Sequence, residues 1–263
     1  MNAGAEDVAR LDLIAPLYRE MRVGDWILRR WTDNIPLRGY WSPARPVSGV
    51  VSLDRGSDTW MSLMPVEIES QQIGIGCASG HVAIFGLGMG WAAAATALRP
   101  GVTAVTVVER DTELIVLHEA LDLFGLLPDG AGEKVRIVAA DAFTWEPDAP
   151  VDMLMPDIWL SLVSSGRVDE VRRMQDRVRA ARVYFWGQEL ELARHAVAAG
   201  RLGLDDAGIA VTAEEFGLPL AGLDIRDYAS RLRAAAEQWM NDAWLSDARP
   251  AFQPPMRALG SEG

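Results

Sequence analysis

From residue 81 onward the apolar positions switch between two periods. HVAIFG (81–86) is a continuous apolar run, as expected of a strand buried on both faces. WAAAATALR then reads as a helix, stopped by Pro100-Gly101. AVTVVE, KVRIVAAD, VDMLMPD and RVYFWG repeat the strand pattern. ELIVLHEALDLFG lies as a helix between the second and third runs, and a charged helical stretch, 168–180, separates the fourth from the fifth. Strands alternating with helices at this spacing predict βαβ units and a parallel sheet, a Rossmann-like α/β fold with helices on both faces.

The chain ahead of this block reads differently. Val8, Leu11, Ile14 and Leu17 are spaced for a short amphipathic helix within 1–20. DWILRRW, LRGYW and VSGVVSL, separated by the turn clusters DNIP, SPARP and DRGSD, predict a small antiparallel β unit over 23–63. Pro65 opens a helix over 65–77, closed by Ser79-Gly80. Beyond Gly187, GQELELARHAVAAG is helical and GIAVTAEEF offers one more strand. A long helix is expected over 224–245, with Ile225, Tyr228, Leu232, Ala235 and Met240 among its apolar positions. The expected organisation is an N-terminal helix and β unit (1–64), an α/β core with a helical C-terminal part (65–250), and a poorly ordered tail (251–263).

Composition narrows the function. The net charge is −12, so there is no excess of Lys and Arg to replace counterions on a phosphate backbone, and no nucleic-acid partner is expected. No apolar run approaches the roughly 18 residues of a membrane helix, and the acidic start MNAGAEDVAR has no signal core. A cytoplasmic protein without a membrane partner is the expectation. The single cysteine, Cys77, excludes an internal disulfide and a cysteine metal cluster, and three scattered histidines make no metal site.

The chemistry gathers after the first strand. AIFGLGMGW places Gly86, Gly88 and Gly90 between a strand and a helix, where glycines let the chain turn and let a ligand approach the backbone. Glu109 ends the second strand about twenty residues later, placed to accept from both ribose hydroxyls of an adenosine. Asp141 ends the third strand, facing an adenine amino group, and Asp157 ends the fourth. Each acid has an ordinary alternative as a helix N-cap or a solvated strand end. Together they lie on the one edge where open α/β sheets bind ligands. The loop is G-x-G-x-G rather than the G-x-G-x-x-G of NAD proteins, and no G-K-[ST] follows it. S-adenosylmethionine, which has no pyrophosphate to cradle, is the cofactor this pattern favours.

With AIFGLGMG, VVER and AADAF at these places, the chain resembles the class I S-adenosylmethionine-dependent methyltransferases over 65–200. The resemblance implies a cofactor set of Gly86, Leu87, Gly88 and Gly90 from the loop, Glu109 with Arg110, Asp141 with Ala142, and Asp157. Within that superfamily the chain is similar to the spermidine-synthase-like branch, which also carries a small β unit before the core and a fourth-strand motif ending in aspartate. In the aminopropyltransferases of that branch this aspartate helps deprotonate the attacking amine, and Asp157 matches it. Their second aspartate, three residues on, is replaced by Leu160, and their acidic and tyrosine residues ahead of the core are not evident in SDTWMSLMP. These departures favour methyl transfer over aminopropyl transfer; a non-catalytic module that keeps the adenosylmethionine site is the other alternative. The branch often forms dimers, so a homodimer through the N-terminal unit is an expectation carried by the resemblance.

Methyl transfer from a sulfonium is an in-line displacement, so the protein mainly aligns donor and acceptor and excludes water. The expected acceptor is a small molecule, an amine or an aromatic. Asp157 is the candidate base or amine-orienting residue, with capping or a contact to the cofactor's methionine part as alternatives. Gln188 and Glu189, just after the fifth strand, either line an acceptor pocket or cap a helix. Trp159 and Trp186 lie near the ligand edge, while Trp26, Trp31, Trp41 and Trp60 belong to the N-terminal unit; each serves either an aromatic box or the core. Met89 and Trp91 adjoin the loop. His81, His118 and His195 read as structural.

Overall fold

Six short strands precede the core in the computed structural model, which describes residues 14–240. In chain order they are β1 (Met21–Val23), β2 (Trp26–Trp31), β3 (Ile35–Leu37), β4 (Arg45–Val47), β5 (Val50–Arg55) and β6 (Asp58–Ser62). β1, β2, β5 and β6 pair in that order as an antiparallel sheet, and β3 and β4 form a separate hairpin. Alternation along β2 buries Trp26 and Leu28 on one face, as a half-buried strand requires. Of the helix expected within 1–20, the described part is a single 3-10 turn, Ala15–Leu17, at whose start Pro16 fixes the backbone. Val8 and Leu11 lie outside the described residues.

The core follows as α1 (Pro65–Cys77), β7 (Gly80–Phe85), α2 (Trp91–Ala97), β8 (Val102–Glu109), α3 (Thr112–Leu121), β9 (Val135–Ala139), β10 (Met153–Pro156), α4 (Arg167–Val178), β11 (Arg182–Val183) and α5 (Gln188–Ala198). Its five strands are parallel in the order β11-β10-β7-β8-β9, flanked by helices. This is the Rossmann-like α/β architecture the alternating pattern predicts. Two consequences of that order position the site. The chain runs outward from β7 to β9, then returns to the other side of β7 as β10, so the switch point lies between β7 and β10. The registers level the strand ends: Phe85 pairs with both Val108 and Pro156, and Glu109 pairs with Ala139. Residues just past those pairs meet on one edge.

The C-terminal part corrects one expectation. GIAVTAEEF is not a strand but part of α6 (Asp206–Phe216). The Asp205 side chain caps it by accepting from Gly208 N, and Ile209, Thr212, Ala213 and Phe216 share the buried face at helical spacing. The buried threonine hides that period in the sequence. α7 (Tyr228–Trp239) is shorter than the helix expected over 224–245; residues 241–245 and the tail lie outside the described residues. Among the described residues, no helix is long and apolar enough to cross a membrane.

Candidate active site

The glycine loop leaves β7 at the switch point and is held from several sides. Gly86 has φ +96°, and a Cβ there would stand 2.1 Å from the Asp157 carbonyl oxygen, so any side chain would push the β7 and β10 exits apart. Leu87 N donates to Glu109 Oε2 at 2.9 Å, and Asp111 N donates to Glu109 Oε1 at 2.8 Å. One carboxylate therefore ties the loop to the end of β8. On the other side, Tyr18 Oη donates to the Met89 carbonyl at 2.8 Å, and Met89 N donates to Met61 Sδ at 3.3 Å. The N-terminal unit, as well as the core, thus braces the loop.

A cleft of about 300 Å³ opens over this edge, within the range small-molecule sites occupy. Gly86, Gly88, Glu109, Arg110, Asp141, Ala142 and Asp157 all line it. Leu87 and Gly90 do not. Leu87 is buried, and Gly90 packs against the His118 ring. Asp141 Oδ1 accepts from Phe143 N at 2.7 Å, which aims the turn after β9 into the cleft.

The opposite wall comes from the N-terminal sheet. Trp26 and Arg55 are cross-strand partners on β2 and β5, and Trp60 and Met61 lie on β6; all four line the cleft. Trp60 stands edge-on to Trp26, with ring centroids 5.6 Å apart. Asp111 docks this wall onto the core. Its Oδ1 accepts from the first turn of α3, while its Oδ2 accepts from Trp26 Nε1 at 3.1 Å and faces Arg55 Nη1 at 3.2 Å.

One residue sequence reasoning missed stands at the centre. Glu67, in the first turn of α1, lines the cleft beside Asp157. Burial pushes its carboxyl up to about 8, and the Asp157 charge adds to the rise. Burial likewise pushes Asp157 up to about 7, opposed by the Arg167 charge and by a 2.7 Å hydrogen bond from Gln71 Nε2. In the sequence, Glu67 looks like any acid complementing a helix N-terminus.

The cleft is strongly acidic. Glu67, Glu109, Asp111, Asp141, Asp157 and Glu170 line it against only two arginines, Arg55 and Arg110. Among the described residues no group of His, Cys, Asp and Glu is arranged to hold a metal ion. This field suits a cation and opposes a pyrophosphate.

Other candidates lie elsewhere. Gln188 and Glu189 are fully buried and line no part of the cleft. Glu189 Oε2 instead accepts from Tyr40 and Tyr184 hydroxyls, and Gln188 Nε2 donates to the Ala221 carbonyl and to Tyr228 Oη. Trp31 donates to Ser52 Oγ, and Trp41 lies under the Arg231 guanidinium. His118 supports the loop from below, its Nε2 2.9 Å from the Gly88 carbonyl oxygen. Burial pushes it down to about 4, so it is a neutral donor at physiological pH. His81, in β7, lies at the far edge of the sheet, between the Pro150 carbonyl and Thr106 Oγ1.

No protein-family model matches the chain, and no curated protein matches it. Among solved structures, a DhpI–SAM–HEP complex is similar at 22% identity and TM-score 0.29, over 40% of this chain and 42% of that one. The 23S rRNA methyltransferase ErmE is similar at 19% identity and TM-score 0.32, over 43% and 41%. Arabidopsis thaliana protein arginine methyltransferase 10, in an open conformation, is similar at 16% identity and TM-score 0.34, over 66% and 50%. The chain spans half or less of the length of each of these structures. At that level of likeness, the fold rests on the strand order and registers, and the function on the cleft.

Proposed function

We propose that the chain is an S-adenosylmethionine-dependent methyltransferase acting on a small amine. The observation that carries this reading is the acidic cleft at the switch point, with six acidic side chains, of which the Glu67–Asp157 pair holds a proton near neutral pH, against two arginines, and two glycines in its lining. A sulfonium cation fits that field, whereas the pyrophosphate of a dinucleotide would be repelled.

In this reading Glu109 accepts from the ribose hydroxyls, Asp141 and Ala142 border the adenine, and Gly86 and Gly88 lie beneath the methionine part. Bound adenosylmethionine supplies a methyl group on a positively charged sulfur, with a neutral thioether as leaving group. Asp157 and Glu67 hold the acceptor's ammonium, and the ionised Asp157 takes its proton so that the free amine can attack. With both carboxyls raised, the empty pair keeps a proton near neutral pH, and a cation between them releases it. Trp60, Trp159 and Trp186 exclude water and pack the acceptor's body. Leu160, an exposed leucine, offers no second carboxylate of the aminopropyltransferase kind, which favours methyl transfer.

Adenosylhomocysteine at about 100 times its Kd is expected to stabilise the fold by roughly 2.7 kcal/mol, read as a raised Tm. No shift at saturating ligand, together with a shift on adding NADH, would replace this reading with a dinucleotide enzyme.

A further inference from the structure

Arg167 opens α4, yet its side chain is buried, with a relative exposure of 1%. Its guanidinium lies 5.1 Å from the Trp159 ring centroid and 5.0 Å from that of Trp186, between the two indoles. Nη1 donates to the Trp186 carbonyl at 2.9 Å, and Nη2 donates to the Ser161 carbonyl. A Cβ at Gly187 would stand 1.9 Å from Nη1, so the chain is cleared of a side chain where the guanidinium passes. Trp159 is held a second time, by Nε1 donating to Glu170 Oε2 at 2.5 Å. Trp159, Trp186 and Glu170 line the cleft, and Arg167 does not.

A buried cation is a poor way to fill volume, because well-packed apolar residues in its place are often as stabilising or more so. A planar fork can do what an apolar side chain cannot: grip two carbonyls on separate segments while stacking on two rings. We infer that Arg167 is the positioning residue for the acceptor half of the cleft, latching the segment after β10 to the segment after β11 so that Trp159 and Trp186 form one aromatic wall. The acceptor role rests on the methyltransferase reading; the latch itself does not. The wall calls for an acceptor with a flat apolar body, its nitrogen turned toward Asp157 and Glu67. The cofactor half is expected to be indifferent to Arg167, since the residue's hydrogen bonds and ring contacts touch none of Gly86, Gly88, Glu109 or Asp141.

The test compares three probes on the wild type, Arg167→Met and Arg167→Lys: adenosylhomocysteine, and two aza-analogues of adenosylmethionine bearing methyl or benzyl on the replacing nitrogen. In the wild type the benzyl analogue is expected to bind about tenfold more tightly than the methyl one, through packing on the wall. In both variants that gain is expected to disappear while adenosylhomocysteine binds within about twofold of wild type. Arg167→Lys keeps the charge and the stem, so it serves if Arg167→Met does not fold. A benzyl gain that survives in the variants, no gain in the wild type, or a parallel loss for all three probes overturns the assignment. If the wild type binds none of them, the methyltransferase reading fails, and amide exchange over 158–166 decides the latch. Exchange about tenfold faster in Arg167→Lys, with β7 unchanged, sustains it, and equal exchange overturns it.

Discussion

Replacing Glu189 by Gln is expected to change how the stability of the fold depends on pH. The carboxyl is fully buried at the start of α5; Oε2 accepts from Tyr40 Oη at 3.2 Å and Tyr184 Oη at 3.3 Å, and Oε1 has no hydrogen-bond partner. Burial raises it from the ordinary 4.5 to about 7, with the tyrosine hydrogen bonds opposing the rise. A raised carboxyl means that the folded state binds the proton more tightly than the unfolded chain. Stability is therefore fully present below about pH 4.5, falls as pH rises toward the folded value near 7, and is flat above it. A rise of roughly 2.5 in pKa corresponds to about 3 kcal/mol in all, of which about 2.5 kcal/mol is lost between pH 5 and pH 8. Glu67 and Asp157 slope the same way, so the wild-type profile alone assigns nothing to Glu189. The difference between wild type and Glu189→Gln does. The amide keeps an acceptor for the tyrosines, and whatever its NH2 costs beside an unpartnered site is constant with pH and cancels. Urea unfolding at pH 5 and pH 8 should show the variant gaining about 2–3 kcal/mol on the wild type between the two. Parallel profiles would show that Glu189 is not the buried, proton-holding group its surroundings make it.

Glu109→Ala removes both the carboxylate proposed to accept from the ribose and the tie to Leu87 N, so adenosylhomocysteine affinity should fall by about 1.5–3 kcal/mol in calorimetric titration, and an unchanged Kd would place the ribose elsewhere. Asp157→Asn should leave that affinity intact but remove the lower of two rises in the pH dependence of methyl transfer to a panel of arylalkylamines. Wild-type kcat/KM is expected to rise through about 7 as Asp157 ionises, ahead of Glu67 near 8, and a rise through 7 of the same size in the variant would remove Asp157 from proton transfer.

What the sequence made legible follows from how a parallel sheet is built. Buried strands read as apolar runs, and their registers level the ends, so acids written just past each run, such as Glu109 and Asp157, meet on one edge without further information. Local pattern failed where two meanings share one spelling. GIAVTAEEF has the β-branched content of a strand, whereas the Asp205 cap and the buried face that Thr212 shares with Ile209, Ala213 and Phe216 mark it as a helix. Glu67 and Arg167 were illegible for another reason. Each is a charged residue in the first turn of a helix, a position usually occupied by a solvated side chain. Their roles depend on which other segments dock beside them, and docking has no period.

Asp111 shows where that leads. Its sequence context predicts an N-cap, and it is one: Oδ1 accepts from Glu113 N and Leu114 N. The spare oxygen then gathers Trp26 and Arg55, which brings the N-terminal sheet over the β8 side of the cleft. Tyr18 and Met61, from the same unit, grip the Met89 peptide groups of the glycine loop. The N-terminal unit is therefore not an appendage to a finished cleft. Without it the loop would lose two of its hydrogen-bond partners and the cleft would lose Trp26, Arg55, Trp60 and Met61 from its wall, so the α/β core taken by itself would carry the acids in register but not an enclosed site.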